Sequence, residues 1–381
     1  MQNRTILIIV ALLNLLGIWT LFSLEPFIEW NNFQSLITSR PVRQIFFLIG
    51  AVLVSYVSII WLELHRKFTW ILGLNIVVII LCLVVVIIDR EVRGASRWIQ
   101  IGFFSLQPSE FAKLGTILWC SYLATFRDIS KIGDLVAYWL IPFSYFLVVW
   151  NSQFGQSDLG TATMIVLPAV VIYLLSQNVP KLHKFALAGT IALGVVFISF
   201  NLVGYQQNRL DVLSFIVAHE SWLPQNTDQI RKVCNDTTLY NTCHSVALVA
   251  NNNFFGSLES FETSKTVFLP ERQTDFIFAS LSHYMGMFAS IGLILLYIFL
   301  TMSLIRFLKG ADPYKFYLLV AVILVLSLQT VINIGMNLGI VPVVGLPLPW
   351  VSYGGSQLLM NYLLIFIAIS KTTSYKAYEL T

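Results

Sequence analysis

Residues 69–88 read TWILGLNIVVIILCLVVVII, a stretch of 20 positions without a charged side chain. A helix of about 20 apolar residues spans the hydrocarbon core of a bilayer, which is roughly 30 Å thick. The whole chain shares this character, because 57% of its 381 residues are hydrophobic and only 11% are charged. This composition excludes a soluble globular domain and predicts an all-α polytopic membrane protein.

The apolar runs predict ten transmembrane helices that form one membrane domain, residues 1–381. The predicted spans are residues 5–24, 43–62, 69–88, 109–125, 134–151, 160–177, 184–203, 276–305, 316–336 and 356–370. A large extracytoplasmic loop, residues 204–275, is expected between the seventh and eighth helices. The first apolar run is interpreted as an uncleaved helix, because no A-x-A-like signal-peptidase site follows it.

The basic residues predict the orientation of the chain. The short loops on one side carry Arg66, Lys67, Arg127, Lys131, Lys181, Lys184, Arg306, Lys309, Lys315, Lys371 and Lys376. The positive-inside rule makes that side cytoplasmic. Both termini are therefore expected on the cytoplasmic face of the cytoplasmic membrane, and segments 89–108, 204–275 and 337–355 on its outer face. The outer loops are basic as well, which indicates either anchoring to acidic lipid headgroups or a site for an anionic lipid-linked substrate.

The four cysteines divide into two pairs. Cys82 and Cys120 fall in predicted spans, where a thiol behaves as a small hydrophobe. Cys234 and Cys243 lie in the large loop, and an oxidising compartment would let them form a disulfide. Two free thiols are the alternative, whereas a metal pair lacks a second set of Cys or His ligands.

Several enzyme classes lose support because their motifs are missing. The sequence contains no P-loop, no dinucleotide-binding glycine motif and no catalytic-triad order. ATP-driven and redox enzymes are therefore disfavoured, and no nucleic-acid partner is expected. The polar constellations at the outer membrane boundary are left as candidate sites.

The first constellation opens the fourth span. Pro108 and Ser109 predict a helix start, with Ser109 as the cap and Glu110 in the first turn, where the helix dipole favours an acid. Lys113 follows three positions later on the same face, and an ammonium inside a membrane needs such a partner or a water-filled cavity. A structural ion pair is the alternative to a functional role.

The second constellation surrounds Asp275, which stands where a long polar loop meets an apolar run. A charged group at that boundary is costly to bury, which favours a reaction site. The alternative is ordinary capping of the eighth span by Thr274 and Asp275. Asp158 stands at another predicted helix entrance, and capping is the simpler interpretation there too.

Four blocks in this order resemble the SEDS family (shape, elongation, division and sporulation). They are RGASRWIQIGFFSLQPSEFAK at 93–113, SDLGT at 157–161, FLPERQTDFIF at 268–278 and NIGMNLGIVPVVGLPLPWVSYGGS at 333–356. Together with the helix count, the resemblance extends over nearly the whole chain. FLPER, NIGM and PVVGLPLP resemble the elongation member RodA more than the division member FtsW, and the short N-terminus agrees.

The resemblance implies a peptidoglycan glycosyltransferase that polymerises lipid II on the outer membrane face while undecaprenyl pyrophosphate leaves. Such chemistry needs a base for the acceptor hydroxyl and positive charge for the departing pyrophosphate. Asp275 matches the family's proposed base. The resemblance also implies a class B penicillin-binding protein, a transpeptidase, as the partner.

Further residues are candidates for holding the substrate. Basic side chains suit its phosphates, with Arg97 and Lys113 the first choices. Glu271 could orient Arg272 or help to hold a divalent cation such as Mg or Mn against the diphosphate, although no closed metal cage is predicted. The full set of candidate substrate contacts is Arg93, Arg97, Glu110, Lys113, Asp158, Arg209, Glu271, Arg272 and Ser352.

The chain departs from the family pattern at some positions. Gln273 stands where the family usually has His, and residues 282–284 read SHY where a small residue and two acids are usual. Two other functions stay open on separate grounds: a lipid II flippase, which would use the same basic residues without a base at Asp275, and a non-catalytic scaffold for a penicillin-binding protein.

Overall fold

A computed structural model describes residues 2–25, 33–60, 67–88, 97–102, 104–150, 156, 158–185, 187, 240–250, 253–256 and 269–370. Its helices are α1 (Gln2–Leu24), α2 (Phe33–Thr38), α3 (Arg40–Ile60), α4 (Phe68–Ile88), α5 (Pro108–Phe126), α6 (Ile132–Trp150), α7 (Leu159–Leu175), α8 (Tyr240–Ala250), α9 (Ile277–Arg306), α10 (Pro313–Asn337) and α11 (Gly355–Ile369). Strands β1 (Ile99–Ile101) and β2 (Phe104–Leu106) form an antiparallel hairpin before α5.

The all-α membrane fold is confirmed. Nine of the ten predicted spans coincide with described helices to within three residues at each end. Among the described residues, six helices are long and apolar enough to cross a membrane: α1, α3, α4, α6, α9 and α10. The seventh predicted span, 184–203, lies mostly outside the described residues, so the total of ten and the extent of the large loop stay predictions.

Helix α5 occupies the centre of the bundle, where it contacts α4, α6, α7, α10 and α11. A helix surrounded by protein does not need an apolar surface, which explains why α5 carries a buried acid, a buried lysine and several hydroxyls. Close packing requires Gly115, because a Cβ there would lie 2.5 Å from Oδ1 of Asn75 on α4. The same Oδ1 accepts a hydrogen bond from the Tyr145 hydroxyl on α6 (3.0 Å).

The connection between α10 and α11, residues 338–354, is irregular backbone packed inside the bundle; we call it the re-entrant segment. Its Pro347 carbonyl accepts hydrogen bonds from Nε2 of Gln329 (2.8 Å) and Nε2 of Gln357 (3.0 Å). Gln329 precedes the end of α10 by eight residues, about 12 Å along the helix axis. Side-chain amides thus satisfy the carbonyl of an irregular, partly buried backbone, as membrane depth demands.

Helix α9 is broken at Gly286, whose φ of 81° and ψ of −179° are not helical. The amides after the break donate to loop carbonyls, Met287 to Asn253 (3.2 Å) and Phe288 to Phe254 (3.2 Å). Gly256 crosses α9 at this point, since a Cβ on it would approach the Tyr284 carbonyl oxygen to 2.3 Å. A piece of the large predicted loop is therefore built into the middle of α9.

The N-cap of α5 differs from the sequence prediction, and one cysteine of the predicted disulfide is described. Ser109 does not cap α5: the N-cap is Gln107, which makes no side-chain cap bond, and the Ser109 hydroxyl is buried without a hydrogen-bond partner. The reason is that Pro108 occupies the first helical position, which its fixed φ favours. Cys243 is disulfide-bonded, while its predicted partner Cys234 lies outside the described residues.

We expect Gly286→Ala to lower the melting temperature of the purified protein in detergent. The new Cβ would stand 2.3 Å from the Gly256 nitrogen, and backbone strain of this kind costs on the order of 1–3 kcal/mol. Gly292→Ala on the same helix is the matched control, because a Cβ there meets nothing within 4 Å. Equal melting temperatures for the two variants would contradict the close crossing of Gly256 and Gly286 at the break in α9.

Candidate functional site

Asp275 lies in a turn, residues 269–276, that leads directly into α9. Glu271 organises this turn with a positive φ of 53°. Its carbonyl accepts from the amides of Thr274 (3.1 Å) and Phe276 (3.2 Å), and its carboxylate accepts from the Thr274 hydroxyl (3.0 Å). The N-cap of α9 is Phe276, which makes no side-chain cap bond. Capping by Thr274 or Asp275, the simpler interpretation of the sequence, does not occur.

Two asparagines on one face of α10 hold the backbone of Asp275. Nδ2 of Asn333 and Nδ2 of Asn337 each donate to the Asp275 carbonyl at 2.9 Å. Oδ1 of Asn337 also accepts from the amide of Ala279 in the first turn of α9 (3.0 Å). The turn and the start of α9 are thereby fixed to α10, while the Asp275 side chain is left unrestrained by these bonds.

The re-entrant segment supports the same turn from behind. The Ser352 hydroxyl donates to the Thr274 carbonyl (2.6 Å) and accepts from the Leu348 amide (2.7 Å). Ser352 is 2% exposed and holds the turn in place, while its contact with a substrate stays a prediction. Gly345 passes close to the carboxylate, since a Cβ there would lie 3.5 Å from Oδ2 of Asp275.

An ion pair lies beside this turn. Nη1 of Arg97 stands 3.4 Å from Oδ2 of Asp158, and Nε of Arg97 donates to the Gln156 carbonyl (3.2 Å). Asp158 caps α7, accepting from the Thr161 amide (3.0 Å) and hydroxyl (2.9 Å), as the sequence indicated. The Arg97 side chain is 28% exposed whereas that of Asp158 is 3% exposed, so Arg97 presents the accessible charge.

The electrostatics join these groups into one cluster, which we call the Asp275 cluster: Arg97, Asp158, Glu271 and Asp275. Burial of the carboxyl, together with the negative charges of Glu271 and Asp158, raises the pKa of Asp275 from 3.8 to about 7. The positive charge of Arg97 opposes them. A carboxyl that titrates near neutral pH is unusual and is characteristic of functional sites.

Glu110 and Lys113 form a separate buried pair on α5. Nζ of Lys113 stands 2.7 Å from Oε2 of Glu110, and the side chains are 1% and 3% exposed. A cation buried and neutralised in this way does not offer itself to a phosphate, so the geometry supports the structural alternative for both residues. The role of Lys113 as a phosphate ligand therefore stays a prediction from the sequence.

The other candidates are placed as follows. The Arg272 carbonyl accepts from the Ser280 hydroxyl (3.0 Å), which ties the turn to α9, and the residue as a whole is half-buried. Arg93 and Arg209 lie outside the described residues. Within the described part of the chain, no three His, Cys, Asp or Glu residues lie close enough together to hold a metal ion.

Sequence reasoning missed the two asparagines and the hairpin. Asn333 and Asn337 stand four apart inside an apolar helix, and polar side chains within a span are a signal of buried function. Residues 99–106, IQIGFFSL, alternate around Gly102, whose φ of 60° suits a tight hairpin turn. The hairpin is anchored to α11 by the Ser356 hydroxyl, which donates to the Ser105 carbonyl (2.7 Å).

We expect Asn337→Ala to loosen the turn that carries Asp275. The change removes the acceptor of the Ala279 amide and one of the two donors to the Asp275 carbonyl. We expect the free energy of unfolding to fall by roughly 1–3 kcal/mol. Hydrogen exchange of residues 275–280 should accelerate and the melting temperature should fall. Asn178→Ala is the control, because Asn178 is exposed and makes one 3.4 Å bond to Arg127. Unchanged exchange at 275–280 would show that Asn337 does not hold this turn.

Known proteins are similar to this chain in sequence. Residues 3–376 match the FtsW/RodA/SpoVE family, described as cell cycle proteins. A probable peptidoglycan glycosyltransferase FtsW of Coxiella burnetii is 30% identical over 316 residues, 81% of this chain and 78% of that protein. A putative peptidoglycan glycosyltransferase FtsW of Mesostigma viride is 31% identical over 300 residues, 78% of this chain and 67% of that protein.

Solved structures extend the likeness to the fold. A chain from a study of how a peptidoglycan synthase complex coordinates polymerization and crosslinking superposes with a TM-score of 0.68, at 23% identity and 95% coverage of both chains. An aspartate-to-alanine mutant of the Rod shape determining protein RodA of Thermus thermophilus gives a TM-score of 0.63, at 22% identity, with 95% of this chain and 94% of that chain covered.

Proposed function

The chain belongs to the FtsW/RodA/SpoVE family and is a peptidoglycan glycosyltransferase, and on that premise we propose that it polymerises lipid II with Asp275 as the general base. The observation that carries the proposal is the Asp275 carboxyl, whose pKa of about 7 is near the pH at which a base works best. A partly exposed arginine lies in the same cluster.

The reaction joins the disaccharide-pentapeptide units of lipid II into a glycan strand. The acceptor sugar hydroxyl attacks the anomeric carbon of the donor, Asp275 takes the hydroxyl proton, and the bond from that carbon to the pyrophosphate breaks. The Asn333 and Asn337 amides fix the backbone of Asp275, so the carboxylate keeps its place as the hydroxyl approaches. None of the described residues donates a hydrogen bond to that carboxylate, which leaves its oxygens available for the proton.

Positive charge stabilises the leaving group. Arg97 supplies it in this proposal, because it is partly exposed and a guanidinium can grip phosphate oxygens in a bidentate manner. Arg272, Arg93 and Arg209 are further phosphate contacts predicted from the sequence. Glu271 offers hard oxygen ligands, so a divalent cation bound there would need the diphosphate to complete its coordination.

The membrane side and the partner are also proposals. The positive-inside rule puts the end of the bundle that carries Asp275, the Asp275 end, outside the cell. Both termini are then cytoplasmic. A partner transpeptidase of the class B penicillin-binding type is supported by the family resemblance and by the likeness to a chain of a peptidoglycan synthase complex.

The alternative functions lose support from the site. A flippase would need the basic residues but does not require a carboxyl poised near pH 7. A scaffold would need neither. Asp275 is positioned by two asparagines of α10, and the re-entrant segment holds the neighbouring Thr274, which is the arrangement expected of a group that reacts.

We expect the purified protein with its partner to make glycan strands from lipid II, and Asp275→Ala to abolish the product without unfolding the protein. Asp128→Ala is the matched control, since Asp128 is exposed and bonds only within its own loop. Strands from Asp275→Ala would remove Asp275 as the base. If neither the wild type nor the control made strands, the flippase or scaffold would be favoured.

The rate of strand synthesis should rise with pH, with a midpoint near 7, because the base acts only when Asp275 is deprotonated. Arg97 lowers the pKa of Asp275 and Glu271 raises it. Arg97→Gln should therefore move the midpoint to higher pH and Glu271→Gln to lower pH, whatever either does to the maximal rate. If the pH midpoints of the two variants moved in the same direction, or did not move, the electrostatic coupling of Arg97 and Glu271 to Asp275 would be contradicted.

We assign the elongation role, as in RodA, on the residues FLPER, NIGM and PVVGLPLP. Depletion of the protein in its host should then turn rods into round cells, because side-wall growth stops. The curated relatives named above carry the division name FtsW, and a division enzyme would give long filaments on depletion. Cell length and width measured during depletion distinguish the two roles.

A further inference from the structure

A cavity separate from the Asp275 cluster opens between α3 and α11, and we call it the α3–α11 groove. Its volume is about 620 Å³, within the range of small-molecule sites. The walls are almost entirely apolar and include Phe46, Gly50 and Val54 of α3, Leu359 of α11 and Phe104 of β2. One charged residue, Arg43, lines the groove.

Arg43 has no charge partner among the residues that the structure describes. Its Nε is buried without a hydrogen-bond partner, and its guanidinium forms no ion pair with any described residue. Arg40, one turn earlier on α3, is in contrast paired with Glu25 at 3.1 Å. A buried N–H left unsatisfied costs free energy, so the groove favours an anionic ligand. A phosphate, with several acceptor oxygens, matches the guanidinium fork.

The dimensions of the groove identify the rest of the ligand. Arg43 is three residues from the start of α3, a depth at which lipid headgroups lie. Val54 is eleven residues further on, about 16 Å along the axis, which is near half of the roughly 30 Å hydrocarbon core. The apolar part is therefore one leaflet long. That length suits an acyl chain, whereas a long polyprenyl chain exceeds one leaflet.

We propose that the α3–α11 groove binds an anionic glycerophospholipid from the leaflet at the Asp275 end. Arg43 holds its phosphate, and one acyl chain lies along Phe46, Gly50 and Val54. This binding does not depend on the proposed reaction. The groove is linked to the Asp275 cluster through Gln44, the residue after Arg43 on α3. Nε2 of Gln44 donates to the Ser352 carbonyl (3.2 Å), and its Oε1 accepts from the Gly354 amide (3.2 Å).

The test is lipid retention by the purified full-length protein, measured by native mass spectrometry. Phosphatidylglycerol and phosphatidylcholine with identical acyl chains are titrated into detergent micelles. We expect phosphatidylglycerol to bind more tightly, and Arg43→Gln to weaken it roughly tenfold, since a charge-assisted hydrogen bond is lost. Lys131→Gln is the control, because it removes an exposed charge that lies elsewhere.

A second variant fills the groove without disturbing the packing. A Cβ on Gly50 meets nothing within 4 Å, so Gly50→Leu projects into the cavity and should weaken phosphatidylglycerol binding. Gly73→Leu on α4 is its control, because a Cβ there also meets nothing within 4 Å and Gly73 does not line the groove.

Three results would overturn the proposal. The first is equal retention of the two lipids by the wild type. The second is unchanged phosphatidylglycerol affinity in Arg43→Gln or Gly50→Leu, or a loss in Lys131→Gln as large as that in Arg43→Gln. The third is displacement of phosphatidylglycerol by a polyprenyl phosphate at lower concentration, which would assign the groove to a lipid carrier.

Discussion

Backbone polar groups buried at membrane depth must find hydrogen-bond partners within the protein, and this constraint organises the end of the molecule that carries Asp275. The re-entrant segment has no regular structure to satisfy its carbonyls. Side-chain amides do so: Gln329 and Gln357 reach Pro347, and Asn333 reaches Leu346 (2.7 Å). Because Asn333 also bonds the Asp275 carbonyl, the same amides that make the segment tolerable also position the site.

At Asp275, hydrogen bonds hold the backbone, whereas burial and nearby charges determine the pKa of the side chain. Its carbonyl has two amide donors, so its position is fixed, while burial and the neighbouring acids raise the pKa of its carboxyl to about 7. A salt bridge directly to Asp275 would have kept the carboxyl ionised and weakly basic. Arg97 instead pairs with Asp158 at 3.4 Å, and it acts on Asp275 only as a nearby charge.

The sequence predicted the spans well because an apolar stretch of about 20 residues can do little else in a membrane. It also led to Asp275 through its boundary position and family motif, and to the ion pair of Glu110 with Lys113 through their spacing. The sequence did not predict the contacts between segments that are far apart along the chain. Nothing local shows that Asn337 meets Ala279, that Gly256 crosses Gly286, or that the Ser352 hydroxyl faces inward.

The long sequence separation of these contacts also has a consequence for biosynthesis. Asn333 and Asn337 follow Asp275 by 58 and 62 residues, and Ser352 follows Thr274 by 78. At roughly 5–20 residues per second, the turn waits several seconds on the ribosome for the residues that hold it. The Asp275 end can therefore form only after the later helices have inserted, so a chain truncated before them would contain Asp275 without the residues that hold it in place.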